Sequence, residues 1–199
     1  MKSMIKDAVI LFAITLVAGV LLGGVYQITK DPIAVQVEKA KVAACNDVFA
    51  EASSFDEYSD FDTISANEMI SDMYPLEIID DALVAKDSAG NVLGYVLTVT
   101  TREGYGGDIQ FMMGVTNDGV LNGISLLAIS ETAGLGMQAE DVLVPQFADK
   151  QVTSFTYTKD GAKSDNEIDA ISGATITTNA VTNGVNAGMY YFYNGLGGK

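Results

Sequence analysis

The seven residues Asp169-Ala170-Ile171-Ser172-Gly173-Ala174-Thr175 concentrate most of the chemistry this chain can offer. Small and hydroxylated side chains crowd the start of Ile176–Tyr193, where Ile176, Ala180, Val181, Val185, Met189 and Phe192 recur at helical spacing. A helix N-terminus leaves backbone N–H groups unpaired and carries partial positive charge. It is therefore a natural seat for a phosphate. Gly173 and Ala174 let such a group come close to the backbone, and Ser172, Thr175, Thr177 and Thr178 add hydroxyls. The same residues also compose an ordinary N-cap, for which Ser and Thr are common choices. From these residues alone both readings stay open.

Two further segments have the composition of ligand-lining loops. Glu131-Thr132-Ala133-Gly134-Leu135-Gly136 lies between an expected strand and an expected helix. Two glycines in three residues imply a tight loop with room for a flat ligand, or simply a turn. Gly104-Tyr105-Gly106-Gly107-Asp108-Ile109 lies between two expected strands and reads as a glycine-rich hairpin.

What is missing narrows the chemistry. The chain has no His and one Cys, Cys45. That rules out a Ser-His-Asp triad, His-ligated metal or haem, an iron–sulfur cluster held by this chain alone and an internal disulfide. No metal site is expected. With 11 basic against 26 acidic residues the formal net charge is −15. Phosphate contacts need clustered Lys and Arg, so nucleic acid is a poor partner. From Val42 to Ala85 every charged residue is acidic. That stretch reads as a solvated face, or as a docking surface for a basic partner.

The elements that must position these residues follow from the hydropathy pattern. Ala8–Gln27 is uncharged and apolar, and about 20 such residues cross the ~30 Å hydrocarbon layer of a bilayer. The run is too long for a signal-peptide core and ends in no clear cleavage site, so an uncleaved anchor is expected. Lysines flank it on both sides, and charge alone does not orient it. Helical spacing resumes from Lys30 to about Ala52, with Asp31-Pro32 read as a break and fresh start. From Ala82 the period changes to that of strands: Ala82–Lys86, Val92–Thr101, Asp108–Thr116 and Val120–Ile129, the last two joined by Asn117-Asp118-Gly119. A short helix over Ala139–Phe147 and a strand over Val152–Thr158 follow. The expected fold is α+β: an antiparallel sheet with flanking helices, preceded by one N-terminal transmembrane helix. The expected divisions are an anchor over 1–30, a helical acidic connecting region over 31–80 and an α+β domain over 81–199.

Taken together and in order, the three segments resemble the FMN-binding domain of the G subunit of the Rnf electron-transport complex, a membrane-bound ferredoxin:NAD+ oxidoreductase. The related C subunit of the sodium-pumping NADH:quinone oxidoreductase shares that domain. The resemblance covers the anchor and essentially all of residues 82–194, and its most specific part is Asp-x-x-Ser-Gly-Ala-Thr, here Asp169 to Thr175. It implies that Thr175 carries FMN as a covalent phosphoester, attached by an FAD-dependent, Mg2+-requiring flavin transferase whose recognition motif includes Asp169. The family's Glu-Thr-Pro-Gly-Leu-Gly loop is present as Glu131, Thr132, Gly134, Leu135 and Gly136, with Ala133 in place of Pro. Its Gly-Tyr-x-Gly-x-Ile stretch is kept as Gly104, Tyr105, Gly107 and Ile109. Both loops, with Ser172, Gly173 and Ala174, are expected to line the flavin. The resemblance further implies an electron-relay component of an ion-translocating complex, coupled to Na+ or H+. The soluble domain would lie outside the cytoplasmic membrane, and no residue would be catalytic in its own right. Two other readings remain at this stage: the homologous quinone-reductase component or another membrane flavin carrier, and a non-redox scaffold in which Ser172–Thr175 is only a cap.

Overall fold

The computed structural model describes residues 2–197. Two compact units divide between Ala40 and Lys41. The first is the greater part of helix α1, which runs over Lys2–Val48. Its apolar stretch is long and hydrophobic enough to cross a membrane. The helix passes through Pro32 without the break expected there. Proline removes one N–H and so one bond to the carbonyl four residues back. Ending the helix and starting another would instead leave four unpaired groups at each new end and repeat a costly nucleation.

The second unit is built on a five-stranded antiparallel meander in the order β1-β2-β3-β4-β5. The strands are β1 (Ser54–Glu57), β2 (Glu77–Lys86), β3 (Val92–Thr101), β4 (Ile109–Thr116) and β5 (Leu121–Ala128). The segment before Ala82 is more ordered than its composition suggests. It holds β1, the helix α2 (Thr63–Ile70) and the first half of β2. Asp62 caps α2 by accepting the Ser65 N–H at 2.8 Å, and Ala66 and Ile70, one turn apart, are its buried face. Ala139–Phe147 is a one-turn helix α3 (Ala139–Val142) and a 3-10 turn (Val144–Phe147), broken before Pro145. The strand expected over Val152–Thr158 shrinks to β6 (Thr156–Thr158), which pairs in parallel with β7 (Glu167–Asp169) outside the main sheet.

The last helix, α4 (Thr175–Gly195), covers one face of the sheet. Val181, Val185, Met189 and Phe192 are fully buried in the same core as Leu97, Val99, Phe111 and Met113. Burial of each such large side chain contributes about 1.5–3 kcal/mol. The opposite face is covered by the end of α1 and the turn after it: Ala44, Cys45, Val48 and Phe49 pack against Ala85, Val96 and Met112. The sheet thus has a helix on each face, and α4 begins at the end of the sheet where β3 turns into β4 and β5 ends.

Candidate functional site

The β3–β4 loop, the segment after β5 and the first turn of α4 meet at that end of the sheet. Glu131, only 9 % exposed, ties the three together. One carboxylate oxygen accepts the Gly106 N–H at 3.1 Å, and the other accepts the Thr177 hydroxyl at 2.9 Å. Its negative charge lies at the third residue of α4, where the helix dipole favours an anion. Glu103 makes a second clasp, accepting the side-chain amides of Asn179 at 2.9 Å and Asn183 at 2.7 Å. The loop bearing Tyr105 is thereby fixed to α4 at two points. The approach is close: a Cβ on Gly136 would stand 2.5 Å from the Thr177 hydroxyl and 2.7 Å from the Glu131 carboxylate.

The motif Asp169–Thr175 is held along its length by side chains and by its own turn. Gln146 clamps the backbone of Asp169, accepting its N–H at 2.7 Å and donating to its carbonyl at 3.1 Å. The Asp169 carboxylate accepts the Ala162 N–H, which folds the 159–166 loop back onto the motif. Thr178 accepts the Ile171 N–H at 3.1 Å and donates to the Ala174 carbonyl at 3.0 Å. Gly173 takes φ +79, a left-handed conformation that reverses the chain immediately before the helix. The N-cap of α4 is Ala174, with no side-chain cap bond, and Thr175 is the first helical residue. The hydroxyls of this segment are therefore not employed as an N-cap, and the N–H groups of the first turn lie ahead of any acceptor within the helix.

Between these parts lies an open cleft of about 510 Å³, lined by Tyr105, Glu131, Thr132, Leu135, Gly136, Gly173, Ala174, Thr175, Ile176 and Thr177. That volume falls within the range of small-molecule and cofactor sites. Tyr105, Ile176 and Leu135 are 71 %, 53 % and 40 % exposed, an apolar rim beside the polar helix end. The cleft therefore offers N–H donors and a hydroxyl for a phosphate, and apolar surface for a flat ring. A hollow of similar size, about 540 Å³, lies elsewhere in the unit but includes Asp47, Glu51, Asp118 and Asp149 in its lining. Four carboxylates make it a poor seat for an anion.

Most residues singled out in the sequence gather at the cleft. Ser172 and Gly134 do not line it, and neither do Gly104, Gly107 and Ile109 of the Tyr105 loop: Ser172 is exposed in the turn, Gly134, at φ +75, shapes its loop from outside, and Ile109 is buried in the core. Asp169 also lies off the cleft, in the brace beneath the motif. Glu103, Asn179, Asn183 and Gln146 were not anticipated. Asn179 and Asn183 stand one turn apart on α4, a spacing visible in the sequence, but nothing in the sequence names Glu103 as their acceptor.

Comparison with known proteins agrees with this layout. The FMN-binding domain family matches residues 104–189, which include all the cleft-lining segments, and the RnfG N-terminal region matches residues 1–48. The fold is similar to the crystal structure of Shewanella oneidensis NqrC, with a TM-score of 0.50 at 18 % identity, over 74 % of this chain and 84 % of that one. Among curated relatives, the G subunit of the proton-translocating ferredoxin:NAD(+) oxidoreductase complex of Clostridium ljungdahlii is 32 % identical, over 98 % of each chain. The G subunit of the Na(+)-translocating ferredoxin:NAD(+) oxidoreductase complex of Acetobacterium woodii is 33 % identical, over 97 % of this chain and 93 % of its own. With the anchor region and the flavin-type domain both matched, and with similarity that runs almost end to end, the chain belongs to the RnfG family, the G subunits of ion-translocating oxidoreductase complexes.

Proposed function

We propose that this chain is a membrane-anchored electron-relay component of a ferredoxin:NAD+ oxidoreductase complex of the Rnf type, carrying FMN as a phosphoester on Thr175. The observation that carries the proposal is the position of Thr175. It is the first residue of α4, it lines the cleft, and the cap that a Thr would ordinarily supply is taken by Ala174. A phosphate esterified there stays beside the free N–H groups of the first turn and the positive end of the helix. Bound FMN supplies the electron-transfer chemistry; the protein supplies position and surroundings.

The chain's residues divide that work. Thr175 fixes the phosphate, and Tyr105, Leu135 and Ile176 offer apolar surface to the ring system. Glu131 and Glu103 hold the Tyr105 loop in place. A covalent tether prevents loss of the cofactor from so open a site, so the ring need not be enclosed and can meet donor and acceptor at close range. Asp169 and Gln146 present the motif in one shape to the flavin transferase that makes the ester. The first part of α1 spans the bilayer beside the other members of the complex, with the α+β unit on the extracytoplasmic side, and the relay is coupled to movement of Na+ or H+.

The test is Thr175→Ala, made in the full chain with an active flavin transferase. Covalent flavin is expected to be absent, while circular dichroism and thermal unfolding stay close to the parent. Flavin still covalently attached to that variant would sink the assignment.

A further inference from the structure

Glu77 is not used by the flavin site, and it is a buried carboxyl with one oxygen left unpartnered. It opens β2, is 5 % exposed and lies under α4. One carboxylate oxygen accepts the Thr101 hydroxyl at 3.1 Å, whereas Oε2 is buried without a hydrogen-bond partner. The helix passes close by: a Cβ on Gly184 would stand 3.5 Å from Oε2 and 2.9 Å from the Phe111 ring. An ionised carboxylate in that position lacks both a cation and a full set of donors, which is strongly unfavourable. A neutral carboxyl avoids most of that penalty.

The groups facing Glu77 reinforce the preference for the neutral form. On β3 and the loop after it stand Thr101 and the acidic Glu103, whose N–H donates to the Thr101 hydroxyl at 3.2 Å. Before β2 stands Tyr74, whose phenol is pushed up by burial and by the neighbouring Tyr190 and Glu77. From α4 come Asn179 and Asn183, both held by Glu103, and then the bare backbone of Gly184. Arg102, next to Thr101 in the chain, is exposed, and Lys86, at the far end of β2, is paired with Asp56. Burial first, and the charge of Glu103 in addition, push the Glu77 carboxyl up to about 8.

We propose that Glu77 is a proton-binding site of the folded protein, and that its proton state is passed through Thr101 to the Glu103 clasp that holds the Tyr105 loop against α4. With the proton bound, Glu103 is the one anion of the pair and keeps both asparagines. With the proton lost, a second negative charge stands near the Glu103 carboxylate, on the Thr101 hydroxyl that also accepts the Glu103 backbone N–H, and the clasp loosens. The pH linkage has a definite sign. Between the unfolded value, near 4.5, and about 8, the folded chain holds this proton and the unfolded chain does not. The contribution to stability is complete at acid pH and is lost as pH rises through that window.

The experiment is a pH titration of the full-length chain in detergent, without flavin, with 13C-labelled glutamate carboxyls and 15N-labelled asparagine side chains. One glutamate signal is expected to titrate near pH 8, while ordinary glutamates titrate near ~4.3. That signal should vanish in Glu77→Gln. The Asn179 and Asn183 amide signals should shift with the same midpoint in the parent and stay still in the variant. The parent titration decides the matter even if the variant folds poorly. If every glutamate titrates in the ordinary range, or the high signal survives Glu77→Gln, the proton site is overturned. If the asparagine signals do not move through the transition, its link to the clasp is overturned. No flavin is involved, so failure here is separable from failure of the Thr175 assignment.

Discussion

Glu131 shows how much one side chain organises in this protein. Its two oxygens serve two different segments, the N–H of Gly106 and the hydroxyl of Thr177, in a buried setting. Removing it leaves both donors without partners, each costing about 1–3 kcal/mol. Glu131→Ala is therefore expected to lose about 2–4 kcal/mol in urea unfolding, and to lower flavin loading because the Tyr105 loop is freed at one end. Glu131→Gln should cost less, since its amide keeps one acceptor and can donate to the Thr177 oxygen. Equal loss in both variants would mean that charge, not hydrogen-bond geometry, is the main contribution. At this scale the placement of Thr175, Glu131, Tyr105 and Gly136 around one cleft was legible in the sequence, because special backbone needs and hydroxyl-rich helix starts leave a local signature. Glu103 and Gln146 were not. Their partners are 76–80 and 23 residues away, and only the folded chain brings them together.

At the scale of elements, the site depends on how near α4 comes to the loop after β5. Gly136 is the point of contact, and Gly136→Ala forces a methyl into the Thr177–Glu131 bond. Overpacking of this kind costs about 1–3 kcal/mol. The variant is expected to lower the thermal midpoint and to slow flavin attachment, read by intact mass over time. Attachment at the parent rate in a destabilised variant would separate fold from site and refute the coupling. The helix itself was readable from its 3.6-residue apolar period, and β3 from its run of Val, Leu and Thr. The acidic stretch from Val42 to Ala85 hid β1 and α2. An exposed four-residue edge strand and an eight-residue helix bury too few side chains to imprint a period. The paired β6 and β7 escaped for the same reason, at three residues each. Pro32 misled in the other direction: a local breaker was outweighed by a long helix on both sides.

At the scale of the molecule, the boundary between the units matters more than the end of the apolar run. The α+β unit begins at Lys41, inside α1, because Ala44, Cys45, Val48 and Phe49 cover one face of the sheet. A chain starting at Lys41 is expected to fold cooperatively in water. One starting at Ser53 uncovers Ala85, Val96 and Met112 and loses the burial of Val48 and Phe49, worth about 3–6 kcal/mol for those two alone. Far-ultraviolet circular dichroism with urea titration checks both, and equal midpoints would show that the end of α1 is dispensable.

The claim on which the rest stands is the ester at Thr175. Its most direct test is the intact mass of the protein made with an active flavin transferase, followed by fragmentation of the peptide that spans Asp169 to Thr178. The expected result is a gain of one FMN less one water, carried on Thr175 and not on Ser172, Thr177 or Thr178. An unmodified mass despite an active transferase, or the same gain on another residue, would contradict it.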